Sequence, residues 1–264
     1  MLKILVNGAL GKMGRETIKA VHNSKELELV SAVDVNANGE LVQNLLGVDS
    51  NAKVFKTLQE AFTNIKPDIV IDFTRPDVVM NSLRYILSEG VAAVVGTTGF
   101  TEENRVELNT LAINNSTSVL IAPNFSVGAI LMMKYSAEII KYMPKAEIIE
   151  LHHDQKLDAP SGTALLTAKK MVEARGGYLK QGAEGEKELL VGARGAEHEG
   201  IRIHSVRLQG YVAHQEVIFG GLGETLTIRH DSISRESFMP GVLLACSKIK
   251  QHTGLVYGLD KLLD

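Results

Sequence analysis

Between residue 1 and about residue 123, short apolar runs rich in β-branched residues alternate with helical patterns: KILVNG, ELVSAVDV, DIVIDF, AAVVGT and SVLIAP. A run that is apolar at every position is buried on both faces, and such runs separated by helices belong to a parallel sheet covered on either side. The intervening patterns predict helices over 11–23, 56–64, 77–89, 102–114 and 126–142. The fold class expected for this part is α/β, a doubly wound parallel sheet of the Rossmann type.

The pattern changes after APNFSVG, where Pro123 and Gly128 mark a boundary. Strands are predicted over 146–153, 201–208, 212–219 and 224–230, with a helix over 161–174, an order that suits an α+β domain. The Gly- and charge-rich stretch 176–200 reads as a long surface loop with at most a short helix, its charges solvated. An apolar helix over 235–248 and the tail are expected to return to the first domain. The division is therefore 1–125 with 235–264, and 126–234, which accords with a length of 264 residues.

A net charge of −3 gives no reason to expect nucleic acid, and the 45% of hydrophobic residues contain no uninterrupted run long enough to span a membrane. The opening MLKILVNGALGKMG carries glycines at 8, 11 and 14 and suits a folded strand and turn better than a signal peptide, so the expected location is cytoplasmic. Cys246 is the sole cysteine, which excludes an intrachain disulfide; its flanks GVLLACSKI read as a buried helical face.

The first strand runs into GALGKMGRE, a G-x-x-G-x-x-G loop ahead of a helix. Glycines here permit a tight turn, the approach of a pyrophosphate to backbone N–H groups, and close packing of helix on strand. The second strand ends at Asp34, twenty residues after Gly14, where a carboxylate can accept hydrogen bonds from ribose hydroxyls. The strand-end loops DFTRP, with Thr74 and Arg75, and GTTGF, with Gly96, Thr97 and Thr98, would border the same crevice. The competing reading of the three threonines is helix capping.

The richest chemistry lies in ELHHDQKLDAPSGTAL, residues 150–165. Successive side chains of a strand point to opposite faces, so His152 and His153 divide their roles unless the strand ends between them. Ser161, Gly162 and Thr163 follow Pro160 as a helix start, where free N–H groups attract an anion. A structural N-cap at Ser161 is the plainer reading, but beside His152, His153 and Lys156 the balance moves toward an anion site with an imidazole able to exchange protons. No metal is expected, because no cysteine helps and His198, His204 and His214, read as lone surface histidines, lack ligand spacing.

EIIELHHDQKLDAPSGTA, residues 147–164, closely resembles the signature of the 4-hydroxy-tetrahydrodipicolinate (dihydrodipicolinate) reductase family, and GALGKMG, DFTRP, GTTGF and APNFSVG resemble its other motifs in the same order. The resemblance covers nearly the whole chain. It implies a first domain that binds NADH or NADPH and a second that binds substrate and forms much of a homotetramer, with a hinge between them. The implied reaction removes water from a hydroxylated ring, delivers hydride to C4 and protonates C3, in lysine and diaminopimelate biosynthesis. By position, His152 is then the proton donor or acceptor and Lys156 the proton donor; His153, Gly162 and Thr163 contact a dicarboxylate, with Ser161 in support. The resemblance also implies that Gly8, Ala9, Leu10, Gly11, Lys12, Met13, Asp34, Gly96, Thr97, Thr98, Ala122, Pro123, Asn124 and Phe125 would line the cofactor, with Thr74 and Arg75 expected beside it.

Family members that favour NADPH commonly carry an arginine after the acidic end of strand two, whereas this chain has Val35 and Asn36. Asp34 would repel a 2′-phosphate, Lys12 and Arg75 partly offsetting it, so NADH is expected to be used at least as well as NADPH. An amino-acid dehydrogenase would share the glycine loop but has no reason to carry H-H-x-x-K-x-D-x-P-S-G-T. A nicotinamide-sensing regulator would not need proton-transfer groups beside an anion pocket, and no basic DNA-reading segment is present.

Overall fold

The computed structural model describes residues 1–37 and 39–263, so Asp264, the last residue of the expected return segment, lies outside the described residues. The chain separates into two compact units, Met1–Ser126 with Arg235–Asp264, and Val127–Ser234.

The first unit opens with β1 (Leu2–Asn7), α1 (Lys12–His22) and β2 (Leu27–Val33), followed by a short α2 (Val42–Leu46) and β3 (Lys53–Phe55) that no strong periodicity announces. Then come α3 (Leu58–Asn64), β4 (Ile69–Asp72), α4 (Pro76–Ser88), β5 (Ala92–Val95), α5 (Glu102–Asn114) and β6 (Ser118–Ile121). These strands pair with one another in parallel, and the seven-stranded order is β12-β6-β5-β4-β1-β2-β3, where β12 (Gly254–Tyr257) arrives from the chain's end. The doubly wound parallel sheet is thus present. Its order reverses between β1 and β4, which places a ligand crevice at the carboxyl ends of those strands.

The continuous apolar runs are buried as their composition demands. Leu5, Val70, Val95 and Val119 join Leu83, Ile86 and Leu108 of α4 and α5 in one core. Pro76 opens α4, where its fixed φ fits and its missing N–H goes unused. Thr101 and Asn104 form a capping box on α5, so Thr74, Thr97 and Thr98 cap neither helix, against one of the readings above.

In the second unit α6 (Val127–Ile139), β7 (Lys145–His152) and α7 (Gly162–Arg175) precede β8 (Ala196–His198), β9 (Ile201–Arg207), β10 (Ala213–Gly221) and β11 (Glu224–Ser232). The sheet order is β11-β10-β7-β9-β8; β7 and β9 run parallel and the other pairs antiparallel, the mixed sheet of an α+β domain. Residues 176–200 contain no α-helix but include β8, and their charges are not merely solvated. Arg194 reaches Glu147 at 2.6 Å and Glu186 at 2.5 Å, tying the loop to β7. A 3₁₀ turn, Arg235–Phe238, leads into α8 (Met239–Ile249) of the first unit, where Cys246 is fully buried and its thiol is pushed up to about 12 by desolvation.

Candidate active site

In the first unit, a crevice of about 680 Å³ is lined by Gly8, Leu10, Gly11, Asp34, Asn36, Thr74 and Arg75, among others. Its shape depends on absent side chains. Gly8 has φ +80°, and a Cβ there would stand 2.8 Å from the carbonyl oxygen of Phe73; a Cβ on Gly14 would stand 2.8 Å from Cα of Ala9. Gly11 is the N-cap of α1 without any side-chain cap, which leaves the first-turn N–H groups, including those of Lys12 and Met13, for an anion. These residues fit the pyrophosphate and adenosine portions of a dinucleotide.

Asp34 makes two backbone contacts that its sequence position did not reveal. Its Oδ2 accepts from the N–H of Leu10 and its Oδ1 from the N–H of Asn36, both at 3.0 Å. It therefore anchors the glycine loop, and each oxygen keeps a lone pair for a ribose hydroxyl. Arg75 is engaged by Asp77 at 2.6 Å, which weakens its claim on a 2′-phosphate. Thr74 donates its hydroxyl to Asp72 at 2.6 Å, and Thr97 donates to the Thr74 carbonyl at 2.9 Å, so these threonines brace the loops after β4 and β5. Burial pushes the Asp72 carboxyl up, against hydrogen bonds from Thr74 and Asn7. Gly96 is required by the ring of Phe73, into which a Cβ would run, and Phe73 packs edge-on against Phe125. Ala122 and Phe125 are buried, Pro123 is exposed, and Asn124 accepts the Ser126 N–H at 2.8 Å.

In the second unit, β7 alternates as its period of two requires: Ala146, Ile148 and Glu150 are buried, and His152 follows on the same face. Cross-strand partners share that face. Ile203 and Val217 flank Ile148, Ser205 and Gln215 flank Glu150, and Arg207 and Ala213 flank His152. The face therefore turns from apolar to polar toward the carboxyl end of β7. His152 is the last residue of the strand and His153 the first beyond it, so the strand ends between the two histidines. His153 is exposed in the following turn, and the Lys156 N–H donates back to its carbonyl at 3.2 Å. Lys156 Nζ lies 2.6 Å from Asp158, whose carboxyl that contact holds low.

Ser161 is the N-cap of α7, its hydroxyl accepting the Ala164 N–H at 3.2 Å, as the plainer reading requires. That cap leaves the N–H groups of Gly162 and Thr163 at the helix start, where the helix dipole favours a carboxylate. The short segment from His152, the last residue of β7, to the start of α7 thus carries an imidazole, an ammonium and a helix start whose first N–H groups are uncapped.

Sequence reasoning missed Glu150 and Arg207. Glu150 is fully buried, and Arg207 reaches its two oxygens at 2.7 and 2.8 Å while also donating to the Asp158 carbonyl at 2.7 Å. Burial alone would raise the Glu150 carboxyl, but hydrogen bonds from His152, Arg207 and Ser205 hold it down at about 2. The available signal was a glutamate on the core-facing parity of a strand. The reading of His204 and His214 as lone surface residues is corrected: His204 lies 2.7 Å from Glu147 and His214 lies 2.6 Å from Asp231. Among the described residues no group of three or more His, Cys, Asp or Glu could hold a metal ion.

Comparison with known proteins places the chain in a family. Residues 2–125 match the family model described as dihydrodipicolinate reductase, N-terminus, and residues 128–263 match dihydrodipicolinate reductase, C-terminus. The chain is 52% identical to the 4-hydroxy-tetrahydrodipicolinate reductase of Listeria monocytogenes serotype 4b, over 100% of both chains. It is 50% identical to that of Syntrophomonas wolfei, over 99% of this chain and 98% of the relative. A solved structure described as dipicolinate-bound dihydrodipicolinate reductase from Paenisporosarcina sp. TG-14 superposes with TM-score 0.90 at 44% identity, covering 100% of both chains. An amine dehydrogenase from Mycobacterium smegmatis, with TM-score 0.69 at 14% identity over 98% of this chain and 95% of that one, shares the fold alone.

Proposed function

The chain belongs to the dihydrodipicolinate reductase family, and we propose on that premise that His152 and Lys156 move the protons of its reaction while Gly162 and Thr163 hold the substrate. That reaction is the NAD(P)H-dependent reduction of 4-hydroxy-tetrahydrodipicolinate to tetrahydrodipicolinate with loss of water, in lysine and diaminopimelate biosynthesis. The observation that supports the assignment is the single segment from His152 to Thr163, which carries an imidazole, an ammonium and an uncapped pair of N–H groups within twelve residues.

A bound nicotinamide supplies the hydride. The protein's own residues perform the rest. The N–H groups of Gly162 and Thr163 receive one carboxylate of the substrate, and the ammonium of Lys156 and the ring of His153 attend the other. Ser161 acts through its cap, which fixes the first turn. Lys156 gives a proton to the departing hydroxyl, and His152 exchanges the proton at C3. The dicarboxylate class is supported by the ligand named for the Paenisporosarcina structure.

In the first unit, we assign Gly8 to Met13, Asp34, Thr74, Arg75, Gly96 to Thr98 and Ala122 to Phe125 to the cofactor site. NADH is used at least as well as NADPH, because Asp34 stands at the end of β2 without a following arginine and Arg75 is held by Asp77. We further propose a cytoplasmic homotetramer, on the family resemblance. Among the described residues no helix is long and apolar enough to cross a membrane. The deciding experiment follows nicotinamide absorbance with freshly generated 4-hydroxy-tetrahydrodipicolinate, using each cofactor in turn. Substrate-dependent oxidation is expected with both; a folded preparation that binds cofactor but never oxidises it with substrate would sink the assignment.

A further inference from the structure

An ionised carboxylate offers only acceptors, so a ring nitrogen held against one must carry the hydrogen. His152 Nδ1 lies 2.5 Å from Oε2 of Glu150. The carboxylate cannot turn away from that contact, because its other donors fix both oxygens from different directions. Arg207 approaches Oε1 at 2.7 Å and Oε2 at 2.8 Å, and the N–H of Ser161 approaches Oε1 at 3.2 Å. The side chain is fully buried, so water does not compete for these positions. With Nδ1 protonated, the neutral imidazole presents Nε2 as its only atom able to take up a proton.

We propose that Glu150, clamped by Arg207, is a positioning residue for the reaction: it fixes His152 as the Nδ1–H tautomer, so that Nε2 exchanges the substrate's proton. The inference rests on the reading of His152 as a proton carrier. It differs from a purely structural ion pair, which would hold the strands together yet leave the tautomer of His152 unconstrained. Glu150→Gln separates the two. The amide has a single acceptor oxygen, which the guanidinium of Arg207 will take, so its NH₂ turns toward Nδ1 and drives the ring hydrogen to Nε2.

The test uses ¹⁵N-labelled full-length protein, with the His152 ring signals assigned by their disappearance in His152→Ala. In the wild type the neutral ring is expected as Nδ1–H, and in Glu150→Gln as Nε2–H. The kcat of Glu150→Gln should fall about 100-fold or more, with the KM for NADH within about twofold. A neutral wild-type ring found as Nε2–H overturns the inference without recourse to any variant that might lose its fold. So does a folded Glu150→Gln that keeps the wild-type tautomer or the wild-type kcat while His152→Ala is slow. If His152→Ala itself turns over normally, the reading of His152 fails first, and that result is distinct from the others.

Discussion

The crevice of the first unit and the charged end of β7 in the second are built on opposite principles. Around Gly8, Gly14 and Gly96 the design consists of missing side chains: backbone approaches so closely that one added carbon meets Phe73 or Ala9. At Glu150, His152 and Arg207 it consists of side chains that orient one another at 2.5 to 2.8 Å. The first kind of site tolerates no added volume, and the second tolerates no altered charge or hydrogen-bond sense. Each should fail in its own way.

The largest separation is expected in turnover. His152→Ala and Lys156→Ala should each slow kcat by about 100- to 10,000-fold, while NADH affinity, measured by fluorescence titration, stays near wild type. A parallel loss of NADH affinity would mean that the two regions do not divide the work as proposed. Next is acid stability. The Glu150 carboxyl sits at about 2 in the folded protein against an ordinary value of 4.5, so its stabilisation is complete above the ordinary value and is lost as pH falls toward the folded one. The difference is about 3 kcal/mol at most. The gap between the urea midpoints of wild type and Glu150→Gln should therefore stay level down to about pH 5 and narrow steadily from there toward about pH 2; a gap that stays constant would show that charge is not what Glu150 contributes.

Volume is the corresponding test of the crevice. Gly14→Val should weaken NADH binding and lower stability by about 1–3 kcal/mol, with the KM for 4-hydroxy-tetrahydrodipicolinate near wild type, because the collision is confined to the glycine loop. A raised KM for that substrate with NADH binding unchanged would break the comparison. The smallest effect concerns cofactor choice. Repulsion of about 1–2 kcal/mol between Asp34 and a 2′-phosphate corresponds to roughly a 5- to 30-fold preference for NADH in kcat/KM at low salt, reduced in Asp34→Ala. Because Asp34 also holds the Leu10 N–H, that variant should lose some affinity for both cofactors. Releasing Arg75 by Asp77→Asn should then improve NADPH by about twofold, the scale of an exposed ion pair. A wild type that strongly prefers NADPH would contradict this account of the β2 end.

Much of both regions was legible before any coordinate. The five buried runs and their helices were marked by hydrophobic period, and the glycine loop by spacing, because burial on both faces and close backbone approach restrict residue type locally. The short β3 and α2, and β12, which joins the sheet beside β6, left too few residues to establish a period. Glu150 was in plain view on the buried parity of β7, but a strand's period gives only its face, not its partner.

What the sequence alone determined is therefore the longer elements, the glycine turn after β1 and the segment that carries His152 and Lys156. Each of these follows from the conformational preference of a few neighbouring residues. Only the tertiary structure decided that Arg207, 57 positions along the chain, meets Glu150, and that Asp34 holds the glycine loop through Leu10, 24 positions before it. The physical reason is the same in both cases. A buried or half-buried carboxylate must find donors, and which donors reach it is set by strand register and loop closure between distant parts of the chain, where local preference has no influence.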